Sequence, residues 1–281
     1  MGAVPRRRTP TAALLVAALA AGAVTAGGCG GASGPPKDLT KASAAQILQA
    51  SADAVGKVHS FHIAGTIHDA DGTTTIAADV TDAGGISATY ADRDGSHAVI
   101  VARGRAYVKA DRRFWLSGRA PTASARKLAA LLGGRWVKLP AARSASIAKD
   151  LEHLLPRELA HCLPHGVGTL TKVGVRTEGG RPVMVIRDAG DVPGGAPGLL
   201  SVPLHGRILP LREQQTGPAR AGGSFDPRCD DRTDTSTSSD ATLSAYDAVP
   251  PVTPPADALD LEHLPQQPPG GGIGLGGGLS A

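Results

Sequence analysis

The chain has 281 residues, 29 of them basic and 25 acidic; 41% are hydrophobic but only 3% aromatic, so Ala, Val, Leu and Ile must fill any core. Three of the basic residues are Arg6, Arg7 and Arg8, and the sequence after residue 28 carries 26 basic against 25 acidic side chains. That near-neutral balance lacks the basic footprint of nucleic-acid binding and argues against it.

The three arginines precede an apolar segment, Ala12 to Val24, and then small residues, which is the layout of an export signal. Cys29 follows directly, in Ala26-Gly27-Gly28-Cys29. Two other readings stay open. No charge appears between Arg8 and Lys37, which leaves room for a membrane-spanning helix, and a soluble export signal needs no cysteine at this point. Residues 30–37 (GGASGPPK) have the composition of a flexible tether.

Thr40 or Ser43 caps a predicted helix at 41–58, with Ile47, Leu48, Val55 and Val58 on one stripe. The pattern then alternates with period two. Phe61, Ile63 and Ile67 share one phase of a strand, Ile76 and Val80 follow Asp71-Gly72, Ile86 and Tyr90 follow Gly84-Gly85, and Val99 and Val101 follow Asp94-Gly95. Four strands joined by such turns predict an antiparallel meander, with Arg105–Lys109 as a fifth strand. Helices are expected at Pro121–Leu132 and about 144–160, separated by a short strand at Arg135–Leu139. Strands resume at Thr169–Thr177, Pro182–Arg187, Leu199–Pro203, Arg207–Gln215 and Ala241–Ala248. Residues 265–281 are a Pro/Gly-rich tail with a composition typical of disorder. The order predicts an α+β fold, a curved antiparallel sheet forming a half-barrel with helices on its concave face.

Sites for chemistry are sparse. Gly272, Gly274 and Gly277 match a dinucleotide fingerprint in spacing only, with no strand before them and no helix after. His161, Cys162 and His165 could ligate zinc, but Pro164 breaks the helical spacing and oxidation competes for the thiol. No nucleophile elbow or triad pattern is present, and His62 and His68 fall on a polar strand face. Neither a catalytic residue, a metal site nor a cofactor is therefore expected. Outside the membrane, Cys162 and Cys229 are expected to pair.

Ala26-Gly27-Gly28-Cys29 resembles the bacterial lipobox, whose cysteine receives a diacylglyceryl group; the Leu usual at the first position is Ala26 here. With the capped helix, the first strand FHIAGTIH (61–68), the segments GRAYVK (104–109) and GRWVKL (134–139), and the closing VPPVTPP (249–255), the chain resembles actinobacterial envelope lipoproteins related to LppX and LprG, within the LolA/LolB lipoprotein-carrier superfamily. The resemblance implies a signal peptide at 1–28, a tether at 29–37, one carrier-like domain at 38–264, and lipid anchoring through Cys29 on the outer face of the cytoplasmic membrane. It also implies an apolar cavity for a lipid or another hydrophobic ligand. Its candidate lining is Phe61, Ile63, Ile67, Ile76, Val80, Ile86, Tyr90, Val99 and Val101, residues that equally suit a packed core. The alternative function is a sensory or scaffold module that binds an envelope protein partner.

Overall fold

A computed structural model describes residues 34–116, 122–165, 167–223, 226, 228–229 and 236–263. The expected signal peptide, Cys29 and the Pro/Gly-rich tail lie outside the described residues, as does most of the tether. Helix α1 (Ala44–Val55) opens with a capping box: the Ser43 hydroxyl accepts from the Gln46 amide at 3.2 Å, and the Ser43 amide donates to Gln46 Oε1 at 2.9 Å. The next five strands, β1 (Ser60–Asp69), β2 (Gly72–Thr81), β3 (Ile86–Asp92), β4 (Gly95–Ala102) and β5 (Arg105–Ala110), form the meander that the alternation predicted.

Beyond it come α2 (Arg112–Leu116), α3 (Ala123–Leu132, capped by Thr122), β6 (Trp136–Lys138) and α4 (Ala141–Asp150). A 3-10 turn, Glu152–Leu154, leads into α5 (Pro156–Cys162). The remaining strands are β7 (Leu170–Glu178), β8 (Arg181–Asp188), β9 (Gly198–Pro203), β10 (Arg212–Gln215), β11 (Ser238–Ser244) and the two-residue β12 (Leu259–Asp260).

All twelve strands lie in one sheet ordered β12-β6-β5-β4-β3-β2-β1-β11-β10-β9-β8-β7, antiparallel throughout except for β12 against β6. Its two outer strands do not pair among the described residues, so the sheet is open. The fold is α+β, as expected. Registered positions show how the covered face is built. Leu243, Ile63, Ala78, Ala88, Val99, Val108 and Val137 form a row running across seven strands, every member of it buried. They share one core with Ile47, Val55, Leu132, Ile147, Leu151 and Leu159 from the helices. Edge strand β7 is blunted by a register shift between Lys172 and Gly174 and by the charges of Lys172 and Arg176.

Three elements differ from expectation. The helix expected at 144–160 is two helices, because Pro156 holds Leu155 in an extended conformation (ψ 143°) and opens α5 afresh. The strand expected at 207–215 begins only at Arg212, after Pro210, which has no amide to donate. The last long strand starts at Ser238 and stops at Ser244, where Ala245 turns left-handed (φ 50°). Helix α2 and strand β12 were not anticipated. Both are too short to show a period, and β12 is held by its pairing with β6 and the 2.7 Å contact of Lys138 Nζ with Asp260.

Cys162 and Cys229 form a disulfide with Cα atoms 5.4 Å apart, tying the end of α5 to the segment before β11 across 67 residues of sequence. Replacing both by Ser is expected to lower stability by roughly 4 kcal/mol in the chain-entropy account, measured by urea unfolding. Non-reducing peptide maps of the wild type should show the linked pair.

Candidate apolar clefts between sheet and helices

The helices do not cover the sheet evenly. Helix α4 packs on β4 and β5, while α1 pairs with α5 and reaches toward β7. The middle of the sheet, around β1, β11 and β10, is left to a few leucines. Two apolar clefts lie there. The first, with a volume of about 60 Å³, runs between Leu48 of α1, Leu163 after α5, Leu170, Ile186 and Leu200. The second, about 20 Å³, lies under Leu154 and Leu159 and is floored by Phe61, Ile63, Gly65, Ile67, Ile76 and Ala241. Volumes of this size hold about four waters and about one.

Four of the nine candidate lining residues, Phe61, Ile63, Ile67 and Ile76, therefore do line a cleft. Val80, Ile86, Tyr90, Val99 and Val101 are buried but line neither cleft. They lie away from the clefts and belong to the buried hydrophobic core. Tyr90 stacks on His97 with ring centroids 4.8 Å apart, and His97 in turn meets Phe114 at 4.7 Å. Burial raises the Tyr90 phenol and holds the His97 imidazole below its ordinary value.

The feature that sequence reasoning missed is Glu213. In β10, Arg212 and Gln214 point to the outer face, where both bond to Asp240, with the Gln214 amide at 3.0 Å. Glu213 therefore takes the inward phase, in register with Leu200 on one side and Ala241 on the other. It lines both clefts. It is half-buried, lining the clefts while part of its surface stays accessible. It makes no hydrogen bond or ion pair with the described residues, and burial alone raises its carboxyl to about 7. The signal was available: an acidic residue in the apolar phase of a strand whose neighbours in sequence face outward.

A second carboxylate, Asp188 at the end of β8, lines the first cleft. One of its oxygens accepts from the Gly168 and Gly190 amides at 3.1 and 2.9 Å. Burial raises its pKa, against the pull of those two bonds.

Gly65 sits in the floor of the second cleft, where β1 meets β11. A side chain there would run into the Asp240 carbonyl, so only glycine lets the two strands approach.

The histidines and cysteines of the zinc pattern are otherwise engaged. Cys162 is in the disulfide, and His161 Nε2 lies 3.1 Å from Asp226 Oδ2. His161, Asp226 and Cys229 come together, but Cys229 has no free thiolate to offer a metal. His62 pairs with Asp79 at 2.7 Å and His68 with Thr73 at 2.9 Å. Both bonds lie on the polar face, as expected.

No protein-family profile and no curated protein matches the chain. Solved structures do resemble it. LprF from Mycobacterium bovis is 19% identical, with 78% of this chain and 99% of that one covered and a TM-score of 0.46. The Mycobacterium tuberculosis lipoprotein LppX is 13% identical, covering 74% and 97%, at 0.44. MucB of Pseudomonas aeruginosa, solved in complex with MucA, is 15% identical over 71% of this chain and 56% of that one, at 0.33. The first two are of the kind that the sequence motifs resemble. At these identities the likeness is one of chain path, and no residue role is carried across.

Glu213 gives the molecule a pH-dependent weakness. Its folded pKa of about 7 lies above the ordinary 4.5, so the folded state holds this proton more tightly than the unfolded chain does. The group is neutral in both states below about pH 4.5 and costs nothing there. The cost grows as pH rises through the interval and reaches about 3 kcal/mol above pH 7. Glu213→Gln is thus expected to stabilise the protein at pH 8 and to change it little at pH 4, read from urea unfolding at the two pH values.

Proposed function

We propose that the protein is a cell-envelope lipoprotein that holds the apolar chain of a lipid or similar ligand between its sheet and its helices. Cys29 is the site of acylation and anchors the chain on the outer face of the cytoplasmic membrane, with residues 29–37 as tether and 38–264 as a single carrier domain. The observation that carries this reading is the pair of apolar clefts meeting at Glu213 between the sheet and the helices. Apolar walls that enclose so little room are the closed form of a binding site. A chain enters when α1 and α5 lift from the sheet, and burial of its methylenes, worth about 0.8 kcal/mol each, offsets the packing lost. The exposed large apolar residues, Leu131 and Val175, lie on separate elements, so the partner-binding reading gains no docking patch among the described residues.

Three measurements test this reading. Organic extracts of protein purified without its N-terminal anchor should contain a chain-bearing lipid by mass spectrometry; an empty protein that also binds none on titration would sink the proposal. Leu170→Asp, on the half-buried wall of the first cleft, should release the ligand at small cost in stability, whereas Val101→Asp, buried away from either cleft, should cost several kcal/mol. Cys29→Ser should move the protein from the membrane fraction to the soluble one, since two acyl chains give stable attachment and none gives none.

A further inference from the structure

Among the described residues, the walls of the first cleft carry two ionisable side chains, Glu213 and Asp188, and no lysine, arginine or histidine. Asp188 apart, the other described side chains that line the clefts with Glu213 are apolar or uncharged. From α1 it is faced by Leu48, from the 3-10 turn and α5 by Leu154 and Leu159, and from the neighbouring strands by Leu200 and Ala241. Among the described residues the Tyr246 phenol also interacts with the Glu213 charge; the Tyr246 hydroxyl donates to the Pro210 carbonyl at 2.6 Å, and burial raises its own pKa. A carboxyl in such surroundings has lost much of its water and gained no partner among the described residues. A binding site whose purpose was only to hold hydrocarbon would be better served by Leu or Met at this position, with no penalty above neutral pH. The unpaired carboxyl therefore points to a complement supplied by the ligand.

We propose that Glu213 is the specificity-determining residue of the cleft and selects amphiphiles whose apolar chain ends in a protonated amine. This rests on the reading of the cleft as a site for an apolar chain. The ammonium would donate to the Glu213 carboxylate at the junction of the two clefts, with Asp188 adding negative charge along the first, while the chain lies against the leucines. Anionic heads are refused by the same two groups. In a water-poor site a hydrogen-bonded ion pair is far stronger than at the surface, and leaving either charge alone there is costly, so selection by charge sign is steep.

Isothermal titration of the protein with dodecylamine, dodecanol and dodecanoate at pH 5.5 and 8.5 tests this. Dodecylamine is cationic at both pH values, whereas Glu213 goes from mostly protonated to mostly ionised. If the amine binds the ionised form alone, its affinity should rise about thirtyfold between them, following the ionised fraction of a group near 7. Dodecanol should bind with little change, and dodecanoate should bind most weakly at pH 8.5. Glu213→Gln should abolish the rise for the amine, and Asp79→Asn, on the outer face, should keep it. Equal, pH-independent affinity of the wild type for amine and alcohol would overturn the role of Glu213 and leave the apolar-chain reading standing. A rise that persists in Glu213→Gln would do the same. Failure of the wild type to bind any of the three would overturn both. The wild-type comparison requires no variant to fold.

Discussion

The pairing of β1 with β11 holds the molecule together. β1 opens the first meander, and β11 comes from the far end of the described chain to lie beside it, so seven registered residue pairs weld the β2–β6 half to the β7–β10 half. The close approach depends on Gly65, because the Asp240 carbonyl occupies the space a side chain would need. A join of this kind is made of long-range contacts, and the loop-closure entropy must be met before any of them stabilises the chain. The disulfide helps by tethering the segment before β11 to α5, next to the join.

Fusing the two halves makes a sheet wider than its helices can cover. Among the described residues, five helices, none longer than the twelve residues of α1, must shield the inner face of twelve strands. On β4 and β5 they succeed, because α4 packs there over buried valines such as Val99 and Val108. Toward β10 and β11 they do not, and the gap is closed by Leu48, Leu154, Leu159 and Leu163, which reach across it from different elements. The clefts are the consequence, placed at the seam. Glu213 occupies the seam itself. An unpartnered carboxyl there costs stability above neutral pH at the place where the helices cover the inner face least.

The sequence alone determined the local structure and the fold class. Period-two alternation from Phe61 to Val101, Asp-Gly and Gly-Gly turns, and the Ser43 cap are interactions between residues near each other in the chain, and each formed as expected. The cysteine pairing was also legible, because few thiols leave few choices. Proline effects were legible in principle and misjudged: Pro156 splits a helix and Pro210 delays a strand, although the leucines on either side continue the apolar pattern.

Tertiary structure decided which apolar residues line a cleft and which are packed core. Ile76 and Val99 look alike in sequence, both apolar and both in the inward phase of a strand. They differ because Ile76 lies near the seam, with Leu154 and Leu159 above the cleft it floors, and Val99 lies in β4, on which α4 packs. Periodicity tells which face of a strand a residue occupies, but whether that face meets a helix depends on where helices distant in sequence come to rest. The charge of Glu213 was likewise in plain view, while its isolation was not. Isolation is a property of the neighbours, and those come from α1, α5, β9 and β11, brought together only by the fold.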